Sequence, residues 1–469
     1  MTSVATSPVD LLQQLRDSMR VDRTGALTIL DKEALRRRGA ATLAWSAAFS
    51  PDEATVRCAQ WLARAAARAS GAYSASIAPL YAARAAGAYD GLTVPAINLR
   101  TQVFDAARSA LECAAEIDGA AVIFELARSE QTYTFQRPVD YATSLYAAAI
   151  AAGWHGPLFI QGDHYQFVAR RYSVDPETVL EEISRACRLA LDAGYRNIDI
   201  DASTLVDLDR GTVAEQQHLN IERTADMAAF IRSIEPSGID VAIGGEIGEV
   251  GSSNSTVEEL SAFLDGFDAG LARRSPGALG LSKVSVQTGT SHGGVPLPGG
   301  GVADVALDFG VLERLGALAR ERGLAGAVQH GASTLPERLF HRFPEVGTAE
   351  VHLATGFQNA LLDHPAFPAE LRSEIAAWLH ANAADEAKPG DSEEQFIYRT
   401  RKKALGPFKR QLWEVAGNGE IIATQRERFA SLFAQLGVAG TRALVARWVP
   451  ERSDPLPDAP VELLGAADV

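Results

Sequence analysis

The middle of the chain alternates short apolar runs with longer amphipathic stretches. Eight runs read as strands: Thr93 to Leu99, Ala120 to Leu126, Pro157 to Asp163, Asn197 to Ser203, Asp240 to Glu246, Lys283 to Gly289, Ala325 to Gly331 and Glu350 to Thr355. They are rich in Val and Ile and mostly apolar on both faces, the pattern of parallel strands covered by helices. Between them lie segments of helical spacing such as QVFDAARSALECAAEID, PETVLEEISRACRLALDAG, IERTADMAAFIRSIE and TVEELSAFLDGFDAGLA. Asp175-Pro176, and Ser255-Thr256 ahead of Glu258, supply helix starts. Eight strands alternating with helices predict an α/β fold, a (β/α)8 TIM barrel with additional helical segments at both ends. A doubly wound open sheet is the alternative, but no Gly-rich dinucleotide fingerprint follows the first strand.

The same pattern divides the chain into three parts. Residues 1–88 form a helical N-terminal extension, with an Arg- and Ala-rich stretch from Lys32 to Ala86. Residues 89–365 form the barrel, and 366–469 a helical C-terminal extension with a polar hinge at Lys388-Pro389-Gly390-Asp391. Arg399, Arg401, Lys402, Lys403, Lys409 and Arg410 follow as a basic cluster, in which Arg401-Lys402-Lys403 is either a solvated helix face or a phosphate contact reaching a neighbouring subunit's mouth. From Val449 onward, Pro, Asp and Ala dominate, which reads as a loose tail.

Composition narrows the function class. The 469 residues are 47% hydrophobic and 22% charged, which implies a substantial core. A net charge of -15 argues against a general binder of nucleic acid or of anionic membrane. Cys58, Cys113 and Cys187 are scattered and make no disulfide framework. The start MTSVATSPVD has no basic segment leading into an apolar core, and no apolar run reaches membrane-spanning length. A cytoplasmic protein is expected.

Three histidines close apolar runs at equivalent places: His164 after PLFIQGD, His292 after KVSVQTGTS and His330 after LAGAVQ. On neighbouring parallel strands they converge, and three imidazoles on a rigid scaffold make a zinc site with an open position. In a barrel the active site lies at the C-terminal strand ends. Those ends carry Asn98, Ser129, Asp163, His164, Asp201, Glu246, His292, His330 and Thr355. Asp163 starts from the opposite face of the pleat but can swing into the mouth and move a proton there. Glu246 is a further ligand or the group that fixes a ligand imidazole. Asp201 is a ligand or a turn former, with Asp199 competing in register. His155, His218, His341, His364 and His380 sit in loops or helix patterns and read as structural or surface groups. Glycines and hydroxyls follow the last three strands, at Gly293-Gly294, Gly331, Ser333-Thr334 and Thr355-Gly356, where backbone N–H groups and a helix start suit a phosphate.

From Val94 to Phe357 the chain resembles the class II, metal-dependent aldolases of sugar phosphates, motif by motif and in order. VPAIN is similar to that family's first strand, and Gly162-Asp163-His164 to its Asp-His element, whose Asp donates a proton and whose His binds zinc. Asp201-Ala202-Ser203, Glu246-Ile247-Gly248, TGTSHG (residues 288–293) and QHGAST (329–334) resemble its further metal and phosphate elements. The resemblance implies cleavage or formation of a phosphorylated ketose, with Asp163 as the catalytic acid or base. It implies Zn2+ or another divalent transition metal on His164, His292, His330, Glu246 and Asp201. Gly293, Gly331, Ser333, Thr355, Asn98, Ser129 and His352 become the substrate and phosphate contacts. Expected partners are a phosphorylated sugar and further copies of the chain in a dimer or higher oligomer.

The departures are specific. His352 stands where the family has an Asn on the last strand, Ala354 where an Asp is usual, and Asn254 at the place of a loop Glu, for which Glu249, Glu258 or Glu259 would have to substitute. The Lys that often follows the first His-Gly is absent from Gly294-Val295-Pro296-Leu297-Pro298. Two rivals follow. A Schiff-base aldolase would need a lysine, but of six only Lys283 lies on a barrel strand, at its bottom end. A non-catalytic sugar-phosphate-binding or accessory subunit would keep the fold without the turnover.

Overall fold

The computed structural model describes residues 3–247, 253–289, 307–452, 454 and 456–467. Its barrel strands are β1 (Val94–Asn98), β2 (Ile123–Ala127), β3 (Gly156–Gln166), β4 (Asn197–Asp201), β5 (Ala242–Glu246), β6 (Lys283–Val286), β7 (Ala327–Gln329) and β8 (Glu350–Leu353). Each pairs in parallel with its neighbours in chain order, and β8 pairs back onto β1. The sheet therefore closes, which excludes the open doubly wound alternative.

Helices follow the strands on the outside: α1 (Val103–Glu116), α2 (Arg128–Thr134), α3 (Pro138–Ala152), α4 (Pro176–Ala193), α5 (His218–Ile234), α6 (Val257–Arg274), α7 (Phe309–Glu321) and α8 (Thr355–Leu362). The two helix starts read from the sequence are both present. Asp175 caps α4 by accepting from Thr178 N–H, and Thr256 with Glu259 forms a reciprocal capping box at α6.

Register shows which side chains fill the barrel, because residues paired across parallel strands share a face. Asn98 pairs with Glu125, Glu125 with Gln161, Ala96 with His352 and Val94 with Glu350. Gly244 on β5 pairs with both Asp199 and Lys283, and a Cβ at Gly244 would run into both of their side chains. Its bare backbone lets Lys283 cross β5, where Nζ donates to Asp199 Oδ2 at 3.0 Å, to Gln161 Oε1 at 2.8 Å and to Glu350. Gln161 Nε2 in turn donates to Glu125 and Glu350, each at 2.9 Å, and Tyr81 OH donates to Glu350. The barrel interior thus carries a buried ionic network beside apolar residues of the same face such as Val94, Ala96 and Val328. Such a network is tolerable only when its charges are matched and hydrogen-bonded.

The N-terminal extension is not helix alone. Met19–Val21 pairs antiparallel with Leu27–Ile29, and Ala72–Ser74 adds a parallel strand to Gly156–Leu158. The hairpin turn forms because Asp22 Oδ1 accepts from the N–H groups of Thr24 and Ala26 while Gly25 takes φ +82°. Three-residue strands carry too few positions for an alternating pattern to be read. Both extensions pack against the barrel. Trp45 and Phe49 meet Trp413 with ring centroids 5.7 and 5.2 Å away. Asp454 accepts from Arg196 Nη2 at 2.7 Å and lies 3.3 Å from Arg64, so the described part of the tail is tied to the base of the barrel. Among the described residues no helix is long and apolar enough to cross a membrane. Cys58, Cys113 and Cys187 are buried free thiols.

Candidate metal centre

A distortion of β3 builds the first half of the site. Its register against β4 shifts between Gly162 and Tyr165, and His164 adopts φ +43°. Register with β2 already places Asp163 on the inner face with Gln161, contrary to the expectation that it starts from the opposite face, and the bulge brings His164 round to the same mouth. A Cβ at Gly162 would strike the Tyr165 ring, so glycine is required there. A left-handed histidine costs about 1–2 kcal/mol, and strain of this kind gathers at functional sites.

Glu246, which ends β5, ties the imidazoles together. Its Oε2 lies 3.3 Å from His164 Nδ1 and its Oε1 3.6 Å from His330 Nδ1. The two rings are 4.4 Å apart between centroids. His330 Nε2 lies 3.1 Å from Ser285 Oγ on β6, which orients that ring. His164, Glu246 and His330 thus each offer a donor atom within 4.8 Å of the others. Asp201 Oδ2 is 3.3 Å from His164 Nδ1, but Gln166 Nε2 also donates to it, and Ser203 occupies Oδ1 through N–H and hydroxyl. Asp201 therefore stands beside His164 as an orienting carboxylate. His292 and Gly293 lie outside the described residues.

The charges fit a cation. Burial alone would lower the His164 pKa, yet Asp163, Glu246 and Asp201 raise it well above the ordinary value. His330 is pushed down to about 3 by burial and by His352, so its imidazole is uncharged at neutral pH. Burial would raise Glu246, but His330 and His164 outweigh it and hold the carboxylate ionised. His164 and His352 are held as cations among the carboxylates of Asp163, Glu246 and Asp201, so the negative charge exceeds the positive by one, and a divalent ion would take the place of the His164 proton. A neutral imidazole beside carboxylates is a donor set suited to zinc or a related transition metal.

Asp163 and His352 connect this centre to the barrel interior. Asp163 Oδ1 is 3.7 Å from His164 Nε2 and 3.3 Å from His352 Nδ1. Burial would raise the Asp163 pKa; His164, His352 and His330 bring it well below the usual carboxylate range. His352 Nε2 lies 2.6 Å from Glu350 Oε1 and its Nδ1 3.1 Å from Glu125 Oε2. Burial, with Asp163 nearby, pushes Glu125 up to about 7. Two further donor groups, Asp163 with His330 and His352, and Glu125 with Glu350 and His352, also converge. The second already faces the Lys283 ammonium through Glu350, so it has a cation of its own. Lys283 stays protonated: burial would lower its pKa, and Asp199 and Glu350 more than reverse that. An ammonium so held is no Schiff-base nucleophile.

The hydroxyl side of the mouth assembles from β7, β8 and β1. Gly331 takes φ +70° after His330, Ser333 Oγ accepts from Ala354 N–H at 2.7 Å, and Thr355 opens α8. Thr355 Oγ1 lies 3.5 Å from Arg100 Nη1, two residues past β1. Asn98 ends β1 and donates to Glu130 at 2.6 Å. Ser129 stands exposed on the first turn of α2, and the next residue, Glu130, is the one that turns inward. Of the candidates for the loop Glu, Glu259 is engaged in capping α6, Glu258 is exposed beside it, and Glu249 lies outside the described residues. Arg401 is buried against Asp363 and Asn359 and stacks on Tyr398, so it is not free to reach another subunit's mouth.

The family model of class-II fructose-bisphosphate aldolase matches residues 82–406. The chain belongs to this family. Among solved structures, this aldolase-family chain resembles a fructuronate-tagaturonate epimerase from Cohnella laeviribosi bound to one glycerol, at 12% identity over 90% of each chain and a TM-score of 0.55. It also resembles a probable tagatose 6 phosphate kinase from Sinorhizobium meliloti 1021, at 18% identity over 80% of this chain and 97% of that one, with a TM-score of 0.52. These two likenesses establish the barrel fold of the family member and nothing about its substrate.

Several residues of the site escaped the sequence reading: Ser285, Glu125, Glu350, Arg100 and Glu130. For Glu125 a signal existed, a single acidic residue inside an otherwise apolar strand, in IFEL, and Glu350 is the one acidic residue of EVHL. Arg100 and Glu130 fall past the strand ends and carried none.

Proposed function

We propose that the protein cleaves or forms a phosphorylated ketose by metal-dependent aldol chemistry, with dihydroxyacetone phosphate as one half and an aldehyde as the other. The carrying observation is the convergence of His164, Glu246 and His330 beside Asp163 at the barrel mouth of a class II aldolase-family chain. A divalent ion would be held by His164, Glu246 and His330, with His292 as the further imidazole. When bound it supplies Lewis-acid polarisation of the substrate's carbonyl and hydroxyl oxygens.

The chain's own residues do the rest. Asp163, kept ionised by its imidazole neighbours, takes the proton from the substrate hydroxyl as the carbon–carbon bond breaks. In the condensing direction the same carboxyl returns it to the aldehyde oxygen. His352 sets a buried cation beside Asp163, in the place of the family's Asn, and its charge favours the enediolate that forms. Gly331, Ser333 and Thr355 receive the phosphate. The working molecule is an oligomer of this chain. A second reading is epimerisation of a ketonic sugar acid, the reaction named for the epimerase structure that shares this fold over 90% of each chain.

The test is a screen of the metal-loaded protein against ketose mono- and bisphosphates and ketonic sugar acids, with and without chelator. Triose phosphate release that stops on chelation and returns with zinc is the expected result. Release unaffected by chelation contradicts the metal-dependent mechanism. Epimerised product without triose release selects the second reading, and no turnover of either class leaves the non-catalytic subunit.

A further inference from the structure

We infer that Arg100 is the charged residue that fixes the anionic end of the substrate, and that Glu130 is its positioning residue. The inference rests on the reading of this mouth as a site for an anionic sugar. Arg100 is 16% exposed at its side chain, and Nε donates to Glu130 Oε1 at 2.6 Å. Its Nη1 is turned instead to Thr355 Oγ1, at 3.5 Å. One edge of the guanidinium is thus anchored while the other faces the first residue of α8. A guanidinium presents its N–H groups as a planar fork matched to two oxygens of a carboxylate or phosphate.

Glu130 is fixed in turn. Its Oε2 accepts from Asn98 Nδ2 at 2.6 Å and from Ala127 N–H at 3.0 Å, and Tyr133 OH lies 3.3 Å from Oε1. The carboxylate can bind only the Asn98 amide nitrogen, which leaves Asn98 Oδ1 as the free acceptor. That oxygen has no hydrogen-bond partner among the described residues, on a residue 2% exposed. Its register with Glu125 points it into the barrel. Thr101 Oγ1 and Gln102 Oε1 in the same loop are likewise buried and unpartnered, and Gln102 takes φ +47°. Buried polar groups are normally satisfied, so this loop is built to be completed by a ligand. A polyol hydroxyl on Asn98 Oδ1 and an oxyanion on Arg100 would complete it.

Charge supports the same assignment. Gly331, Ser333 and Thr355 are neutral, and the His352 and Lys283 cations are engaged by the interior carboxylates Asp163, Glu125 and Glu350. An anion approaching that mouth needs a local cation, and Arg100 stands on the hydroxyl side. The shared ligand chemistry is a terminal oxyanion, carried either as a phosphate ester or as a carboxylate.

Titration calorimetry of the full-length, metal-loaded protein with inorganic phosphate and with gluconate tests the role. Arg100→Met is expected to weaken whichever probe binds at least tenfold, and Arg100→Lys to recover part of the loss, with metal content unchanged. Binding of phosphate alone marks a phosphate ester as the natural ligand, and binding of gluconate alone a sugar acid; either supports the role. Wild-type-like affinity in Arg100→Met, with binding weakened in Thr355→Val, overturns the Arg100 assignment while the anion site stands. No binding of either probe by the wild type overturns both. Should Arg100→Met not fold, phenylglyoxal labelling of the wild type decides: protection of Arg100 by the bound probe supports the role, and unchanged labelling overturns it.

Discussion

The bulge at Asp163-His164 sets the chemistry, because it converts two neighbours on opposite faces of a strand into two neighbours at one mouth. Asp163 is the side chain on which proton transfer rests, while the donors for the ion are its neighbours. Asp163→Asn should therefore lower kcat by about 10²–10⁴-fold, the usual worth of a positioned acid or base, and leave metal stoichiometry unchanged. Steady-state assays with the ketose phosphate found by screening, alongside metal analysis, check both halves. Loss of metal in that variant would mean that Asp163 is a ligand instead. Residues such as Asn98, Asp163, His164, Glu246 and His330 were legible in the sequence because a polar group closing an apolar run is hard to explain by packing. What could not be read was the bulge itself, since its signal is a left-handed φ at His164. Arg100 was invisible for a different reason: it acts across the sheet closure, on Thr355 of the last strand's helix.

At the scale of elements, eight strands were placed within a few residues by apolar runs alone, and two helix starts by their caps. The ionic filling of the barrel was less legible. A lone Lys283 or Glu350 in an apolar strand gains meaning only when register brings them together through the gap at Gly244. Deleting one member leaves the others buried and uncompensated, so Lys283→Met should destabilise the fold by about 3–5 kcal/mol. Urea denaturation measures it, and Lys283→Met with Glu350→Gln should recover part of the loss. The pH dependence follows from the sign of the change. Without the ammonium, Asp199, already raised to about 6 by burial, rises further and Glu350 loses the neighbour that most lowers it, so the folded state binds more protons and loses stability as pH rises. The Lys283→Met deficit should be larger at pH 8 than at pH 5; a deficit equal at both would mean that the lysine acts by packing alone.

For the whole molecule, the described residues of the extensions brace the barrel from outside the metal centre. Trp45, Phe49 and Trp413 join the N- and C-terminal helices, and Asp454 secures the described tail on Arg196 and Arg64. Closure of the barrel is what brings β3, β5 and β7 to a common mouth, and the central claim is that they hold one divalent ion there. Anomalous diffraction from crystals of the zinc-loaded protein, measured on both sides of the zinc edge, tests this most directly. The account predicts a single peak bonded to His164, Glu246 and His330. No peak at that position, or a peak among Glu125, Glu350 and His352 instead, would contradict it.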